Sequence, residues 1–172
     1  MCIRDRIKAE NASSDGFRRT DFSKVKSETV AHLTRSRLIP GDILIVFVGS
    51  IGNVARVPDD QQYFLGPNIG MIRVESKHVL PAYLELFLRS PVGNRLINSF
   101  AKAVTQASLS MGSIRLIPFA MPPVEEQQLI VEALEERLRE IDAMETTLDA
   151  ELVRSTRLRQ AVLKRAFEGR LG

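Results

Sequence analysis

The chain has 172 residues, 44% of them hydrophobic and 26% charged, with a net charge of +3; these proportions suit one globular unit with an appendage and exclude a low-complexity protein. No run of about 18 apolar residues is present to span a bilayer, the opening MCIRDRIKAE lacks the apolar stretch of a secretory signal, and a single cysteine, Cys2, leaves no internal disulfide, so a cytoplasmic location is expected. The charge is uneven: Met1 to Met121 carries 16 Lys and Arg against 10 Asp and Glu, and Pro122 to Gly172 carries 8 against 11, so a basic part suited to a polyanion precedes an acidic one.

Residues 1–40 are polar and weakly periodic, with a short helix predicted over Lys24 to Leu33. Pro40, Gly41 and Asp42 make a turn. Ile43 to Val48 is an unbroken apolar run rich in β-branched residues, as in a buried strand. A second strand is expected over Val54 to Val57, a turn over Pro58 to Asp60, and a third strand over Ile69 to Val74 after the breaker Gly66, Pro67, Asn68. Leu80, Tyr83, Leu84, Phe87 and Leu88 recur at helical spacing and share one face. Ser90 can cap a second helix that begins with Pro91 and turns Val92, Leu96, Ile97 and Phe100 inward. A polar loop from Thr105 to Gly112 leads into IRLIPFAMPP, read as a strand-like segment stopped by prolines.

The last third differs in kind. Pro122 and Pro123 suit a helix start, and nothing breaks a helix from there to about Phe167. Roughly forty residues at 1.5 Å each would reach about 60 Å, a length that needs a partner. Val131, Leu134, Leu138, Ile141, Leu148 and Leu152 form an approximate heptad seam, interrupted by Glu145, Ser155 and Arg159. Acids dominate the first half and bases the end; this polarity fits the helix macrodipole alone, and it also fits two such helices packed antiparallel.

The chemistry-bearing motifs are sparse. The loop Gly49, Ser50, Ile51, Gly52 lacks both the dinucleotide and the phosphate-loop spacing, and a strand rather than a helix is expected after it. A hairpin turn is therefore the reading for GSIG. His32 and His78 are isolated, one cysteine cannot build a zinc site, and no nucleophile elbow surrounds any serine, so neither a metal nor an active site is expected. Arg35 and Arg37 could pair with phosphates or fork onto guanine edges, and Gln106 or Asn68 could read an adenine, although each taken singly is more often a surface residue.

Four segments, SRLIPGDILIVFVGSIGNVARVP, PAYLELFLRSPVGNRLI, TQASLSMGSIRLIPFAMPPVEEQQLIVEALEERLREID and RLRQAVLKRAFEGRLG, together resemble the specificity subunit of type I restriction-modification systems over roughly Leu33 to Gly172. The helix entry PPVEEQQLIVEAL and exit RQAVLKRAFEGRL carry the likeness most specifically. The resemblance implies a non-catalytic reader of double-stranded DNA. A full subunit of that family holds two recognition domains, each on one half of a split target, separated by two long antiparallel helices. Modification and restriction subunits dock on it and bring S-adenosylmethionine, ATP and Mg, so no cofactor is expected in this chain. Only one domain and one spacer helix are present here; the family's opening strands have no counterpart before Arg6, and MCIRDR looks like an adapter-derived start, so a partial domain is expected.

The expected fold is α+β: a small twisted sheet with short helices over Met1 to Met121, a partial target recognition domain, followed by one long coiled-coil-forming helix over Pro122 to Gly172. Charge and loop position nominate Arg18, Arg19, Lys24, Lys26, Arg35, Arg37, Asn68, Lys102 and Gln106 as DNA contacts. The seam on the long helix is expected to take a partner helix, a second copy of the chain included. The competing expectation is a coiled-coil adaptor, or an inactive truncated remnant, that binds proteins without reading DNA.

Overall fold

The structure, a computed structural model, describes residues 3–26, 32–58, 62–103 and 107–168. The chain divides into two compact units, Met1–Val131 and Glu132–Gly172. In chain order the first unit holds β1 (Ile3–Ile7), β2 (Ala12–Ser13), β3 (Gly16–Phe17), β4 (Ser23–Lys26), β5 (Ile43–Val46), β6 (Val54–Arg56), β7 (Tyr63–Leu65) and β8 (Ile69–Ile72). After these come α1 (Pro81–Arg89), α2 (Pro91–Phe100), β9 (Lys102–Ala103), β10 (Ala107–Ser108) and α3 (Met111–Ile114). A helix α4 (Val124–Phe167) then begins in the first unit and makes up all but Glu168 of the described part of the second.

Two three-stranded sheets organise the first unit, in strand orders β4-β1-β7 and β6-β5-β8. Strand β5 explains why its sequence does not alternate. Leu44 and Val46 point into one core with Ile7, Leu38, Ala55, Val57, Tyr63 and Ile69, while Ile43 and Ile45 point into another with Val54, Leu88, Ile97, Leu109 and Ile114. Both faces are therefore covered, and all four side chains are fully buried. Each contributes roughly 1.5–3 kcal/mol of apolar burial, and Leu44→Ala would cost about 2–5 kcal/mol.

The expected strands near Val54 and Ile69 are β6 and β8, each antiparallel to β5. The expected helix face on α1 is present, with Tyr83 and Leu88 buried. Ser90 caps α2 by accepting a hydrogen bond from the Gly93 amide at 3.1 Å. Val92 does not turn inward; it is 51% exposed. The small Gly93 takes the inner position because the start of α2 lies against the backbone of Phe87 and Leu88.

Two further expectations change. Lys24 to Lys26 belongs to a strand rather than a helix, since exposed Lys24 and Lys26 alternate with half-buried Val25 against β1; Thr34–Ser36 is a single 3-10 turn, and residues 27–31 lie outside the described ones. IRLIPFAMPP is not a strand: Ile114 closes α3, Arg115 and Leu116 turn, and residues 117–123 form no regular element before α4. Phe119 meets Phe87 with ring centroids 5.9 Å apart, and the Tyr83 hydroxyl donates to the Ala120 carbonyl at 2.9 Å. Ile3–Ile7, for which the sequence suggested no element, is β1, the centre of its sheet, antiparallel to β4 and parallel to β7. The turn expected at Pro58 to Asp60 falls mostly outside the described residues.

Candidate nucleic-acid interface

The nominated cations divide by what holds them. Arg18 and Arg19 stand on an exposed loop, Arg18 to Asp21, between β3 and β4. Its ends are anchored by Phe17 and Phe22, which both pack on Tyr63 with ring centroids 5.4 Å away. Beneath it lies Asn11, 1% exposed. The Asn11 Nδ2 donates to the carbonyls of Arg18 at 3.2 Å and Thr20 at 2.6 Å, and its Oδ1 accepts from the Lys8 amide at 2.8 Å. The Arg18 amide in turn donates to the Asn11 carbonyl at 2.8 Å. Asp21 completes the loop in the left-handed region, φ 56°.

Arg18 also forms an exposed ion pair with Asp15 at 3.1 Å. Hydrogen bonds from Ser14 and Arg18 hold the Asp15 carboxyl below its ordinary value of 3.8. Such a pair contributes little to stability, so Arg18 can exchange that partner for a phosphate. Lys24 is engaged in the same way with Asp5, at 2.8 Å across the β1–β4 ladder. Lys26 is exposed at the far end of β4.

Arg35 and Arg37 are exposed on the segment that follows, and their backbone is fixed from below. Arg37 forms a bridge to Phe64 on β7, and the Leu38 amide donates to the Tyr63 carbonyl at 3.0 Å. The Arg37 carbonyl accepts from Arg73 Nη2 at 3.1 Å. That guanidinium is itself locked by Asp42, Nε to Oδ1 at 2.8 Å and Nη2 to Oδ2 at 2.7 Å. Asp42 is 1% exposed and also accepts the Ile39 amide at 2.8 Å. This bidentate pairing pushes the Arg73 guanidinium's pKa further up. Asp42 thus serves the turn, as expected of a turn aspartate, and in addition fixes Arg73.

The remaining nominees are less connected. Asn68 is exposed at φ 63° in the turn before β8, where its carbonyl accepts the Phe47 amide at 2.8 Å. This is a turn role, and its side chain remains available on the surface. Lys102 is placed by its backbone on β9, and Gln106 lies outside the described residues. The GSIG loop joins β5 to antiparallel β6 as a hairpin. Gly49 and Gly52 sit at φ 89° and 88°, which favour glycine, and a Cβ on Gly52 would stand 2.9 Å from the side-chain Nδ2 of Asn94. A strand follows the loop, so no helix start is there to receive a phosphate. Among the described residues no group of three or more His, Cys, Asp and Glu is arranged to hold a metal ion, and no helix is long and apolar enough to cross a membrane.

Sequence reasoning missed the polar residues that shape these loops. Buried Asn11 and Arg73, whose side chain is one-third exposed, are two. Glu85 is a third: it takes the Arg56 amide at 3.3 Å and Arg56 Nε at 3.0 Å, and approaches Arg89 at 3.5 Å. Arg89 reaches on to the Ser14 carbonyl at 3.0 Å, tying the β2–β3 turn to α1. Gln127, in the first turn of α4, is fully buried. Its Oε1 accepts the Leu80 amide at 2.9 Å, and its Nε2 donates to the carbonyls of His78 and Pro122, both at 2.8 Å. The PPVEEQQ segment is thereby fixed to the start of α1. Of the seam, Val131 is half-buried in the first unit, while Leu134, Leu138, Ile141, Leu148 and Leu152 are exposed in the second.

Residues 7–154 match the family of the type I restriction modification DNA specificity domain. The chain belongs to this family. It is similar to two curated specificity subunits of type I restriction enzymes: EcoBI from Escherichia coli, 29% identical over 148 residues, covering 86% of the chain and 31% of the relative, and EcoKI from Escherichia coli strain K12, 31% identical over 150 residues, covering 82% and 32%. The chain spans about a third of the length of these relatives. Among solved structures, the HsdS subunit from Thermoanaerobacter tengcongensis shares the fold with a TM-score of 0.62 at 22% identity, over 90% of the chain and 42% of that subunit. A chain from work on complex assembly and conformational transition of the type I R-M system matches at a TM-score of 0.63 and 23% identity, over 79% of the chain and 33% of its counterpart. The chain thus has the α+β architecture with a long C-terminal helix that the sequence leads one to expect, and shares its fold with these structures.

Proposed function

We propose that the chain is a sequence-reading DNA-binding module of a type I restriction-modification complex, recognising one half of a split target. Met1 to Met121 is the reading part and Pro122 to Gly172 the spacer. The observation that carries this reading is a family match that runs through both the α/β unit and the helix. The mechanism is binding without turnover. Arg18, Arg19, Lys24, Lys26, Arg35, Arg37 and Lys102 engage phosphates, and Asn68 and Gln106 select bases in the major groove. S-adenosylmethionine, ATP and Mg belong to the modification and restriction subunits that dock on this scaffold in the cytoplasm. The exposed seam on α4 takes a second helix, and a second copy of this chain supplies it when no other does, giving a two-fold symmetric reader. About 30 residues of paired helix would then separate the half-sites by about 45 Å, roughly 13 base pairs of rise.

The test is selection from a randomised duplex pool, with and without a modification subunit, followed by sequencing of the retained DNA. Enrichment of one short motif, or of two copies at fixed spacing, is the expected result. Salt-sensitive retention without enrichment would reduce the chain to a basic fragment with an incomplete reading head. No retention in either condition would sink the DNA-reading proposal and leave a protein-binding adaptor.

A further inference from the structure

A buried asparagine that directs two of its three side-chain hydrogen bonds to the backbone of an exposed loop is an unusual use of core space. Asn11 makes three side-chain hydrogen bonds, to Lys8, Arg18 and Thr20, and exposes 1% of its surface. Two of those partners belong to the loop Arg18 to Asp21, whose four side chains are all exposed. The same loop is clamped at both ends by the Phe17, Phe22 and Tyr63 rings. A loop kept only as a connection needs none of this, because a polar turn on the surface is solvated whatever its conformation. Fixing one backbone conformation in advance lowers the entropy cost of presenting two long arginine side chains on binding.

We infer that Asn11 is a positioning residue: it presets the Arg18–Asp21 loop as a DNA-backbone contact in which Arg18 and Arg19 neutralise phosphates. The inference rests on the DNA-reading proposal and names where that reading begins. Asp15, paired with Arg18 at 3.1 Å in the free chain, is the partner that a phosphate replaces. Gly16, at φ 116°, and the Arg89 contact to the Ser14 carbonyl hold the neighbouring β2–β3 turn that carries Asp15.

The experiment uses the full chain and a labelled duplex of about 30 base pairs drawn from the pool that the unaltered chain retains, with affinity measured against salt concentration. Each phosphate contact contributes about 0.9 to the slope of log affinity against log salt, so replacing both arginines (R18Q with R19Q) should lower the slope by about 1.8 and shrink the affinity ratio between 50 and 200 mM salt about tenfold. Asn11→Ala removes no charge, yet it should lower the slope by a comparable amount in the folded fraction. A residue that merely stabilises the fold would reduce the amount of active protein and leave the slope alone. Should Asn11→Ala fail to fold, inserting one glycine between Arg19 and Thr20 keeps both arginines and Asn11 and should give the same loss. Lys77→Gln, an exposed cation outside this loop, controls for net charge and should leave the slope unchanged. The inference is overturned by an unchanged slope in the double arginine variant, by an unchanged slope in Asn11→Ala or the insertion, or by an equal loss in Lys77→Gln. No salt-sensitive binding by the unaltered chain would instead remove the DNA-reading proposal itself.

Discussion

The α/β unit and the helix beyond Val131 use polar residues in opposite ways. In the first, Asn11, Asp42, Glu85 and Gln127 are buried, and each meets partners that are distant in sequence. In the second, every described side chain from Glu132 to Glu168 is exposed, and ion pairs such as Arg137 with Glu140, Arg154 with Glu151 and Lys164 with Glu168 link neighbours one turn apart. Pairs of the second kind contribute a few tenths of a kcal/mol each. Pairs of the first kind decide where a loop stands. The α/β unit therefore has its own reasons to hold one shape, whereas the helix displays Leu148 and Leu152 at 63% and 65% exposure and draws its stability from whatever covers them.

That contrast breaks most sharply at Asp42 and Arg73. Removing Arg73 leaves a carboxylate that is 1% exposed with, among the described residues, only the Ile39 amide to hold it, so Arg73→Met should cost about 3–5 kcal/mol. Asp42→Asn should cost less, because an amide oxygen still accepts the Ile39 amide and Arg73 is one-third exposed to water. Tyrosine fluorescence is the readout. The chain has no tryptophan and two tyrosines, Tyr63 and Tyr83, both in the α/β unit, so the signal reports that unit and not the helix. Equal destabilisation by the two variants would mean that the charge pair is not what fixes the turn.

Gln127→Ala comes next, at about 2–3 kcal/mol, since it leaves the Leu80 amide and two carbonyls without partners. The loss should appear in tyrosine fluorescence, because Gln127 belongs to the α/β unit although it sits in the long helix; a loss confined to helical circular dichroism would contradict that assignment.

Alkaline pH offers a smaller effect. Burial raises the Tyr63 and Tyr83 hydroxyls above their ordinary 10.0. At pH above 10 the unfolded tyrosines release protons first, so unfolding becomes proton-releasing and the unit loses stability as pH rises towards the folded values; below 10 the contribution is fully present. The phenolate absorbance of the folded chain should rise later than that of the chain in denaturant, and coincident titrations would contradict the burial of both rings.

What the sequence made legible follows from how local each cause is. The unbroken run at Ile43, the Ser90 cap and the proline entry to α4 are written in a few adjacent residues, and each stands where it was expected. Strands β1 and β7 are not legible that way: they are short, β1 is polar, and they become strands only by pairing with each other across half the α/β unit. Lys24 to Lys26 misled for the same reason, since its alternation has meaning only opposite β1. The candidate interface divides likewise. Arg18, Arg19, Arg35 and Arg37 stand out as charges in polar loops, whereas Asn11 reads as one more polar residue in KAENASS and Arg73 as an outward-facing strand position. Their roles depend on carbonyls and a carboxylate supplied from elsewhere, Asp42 being 31 residues from Arg73.

The smallest effect on stability is expected on the helix, and it sharpens the comparison most. Leu138→Glu together with Leu148→Glu changes only exposed positions, so the α/β unit should keep its stability within about 0.5 kcal/mol. Self-association is a different matter, because both residues lie on the seam and a carboxylate there would have to be buried against a second helix. Sedimentation at tens of micromolar should show the unaltered chain as a dimer and the double variant as a monomer, each with the same tyrosine unfolding midpoint. The charge order along α4, acids first and bases last, adds a second handle: antiparallel copies set unlike charges together, so added salt should weaken the dimer, whereas parallel copies would be strengthened by it. A chain that sediments as a monomer before any substitution would leave the seam to another protein's helix, and the double variant should then lose that partner while the α/β unit keeps its tyrosine unfolding midpoint.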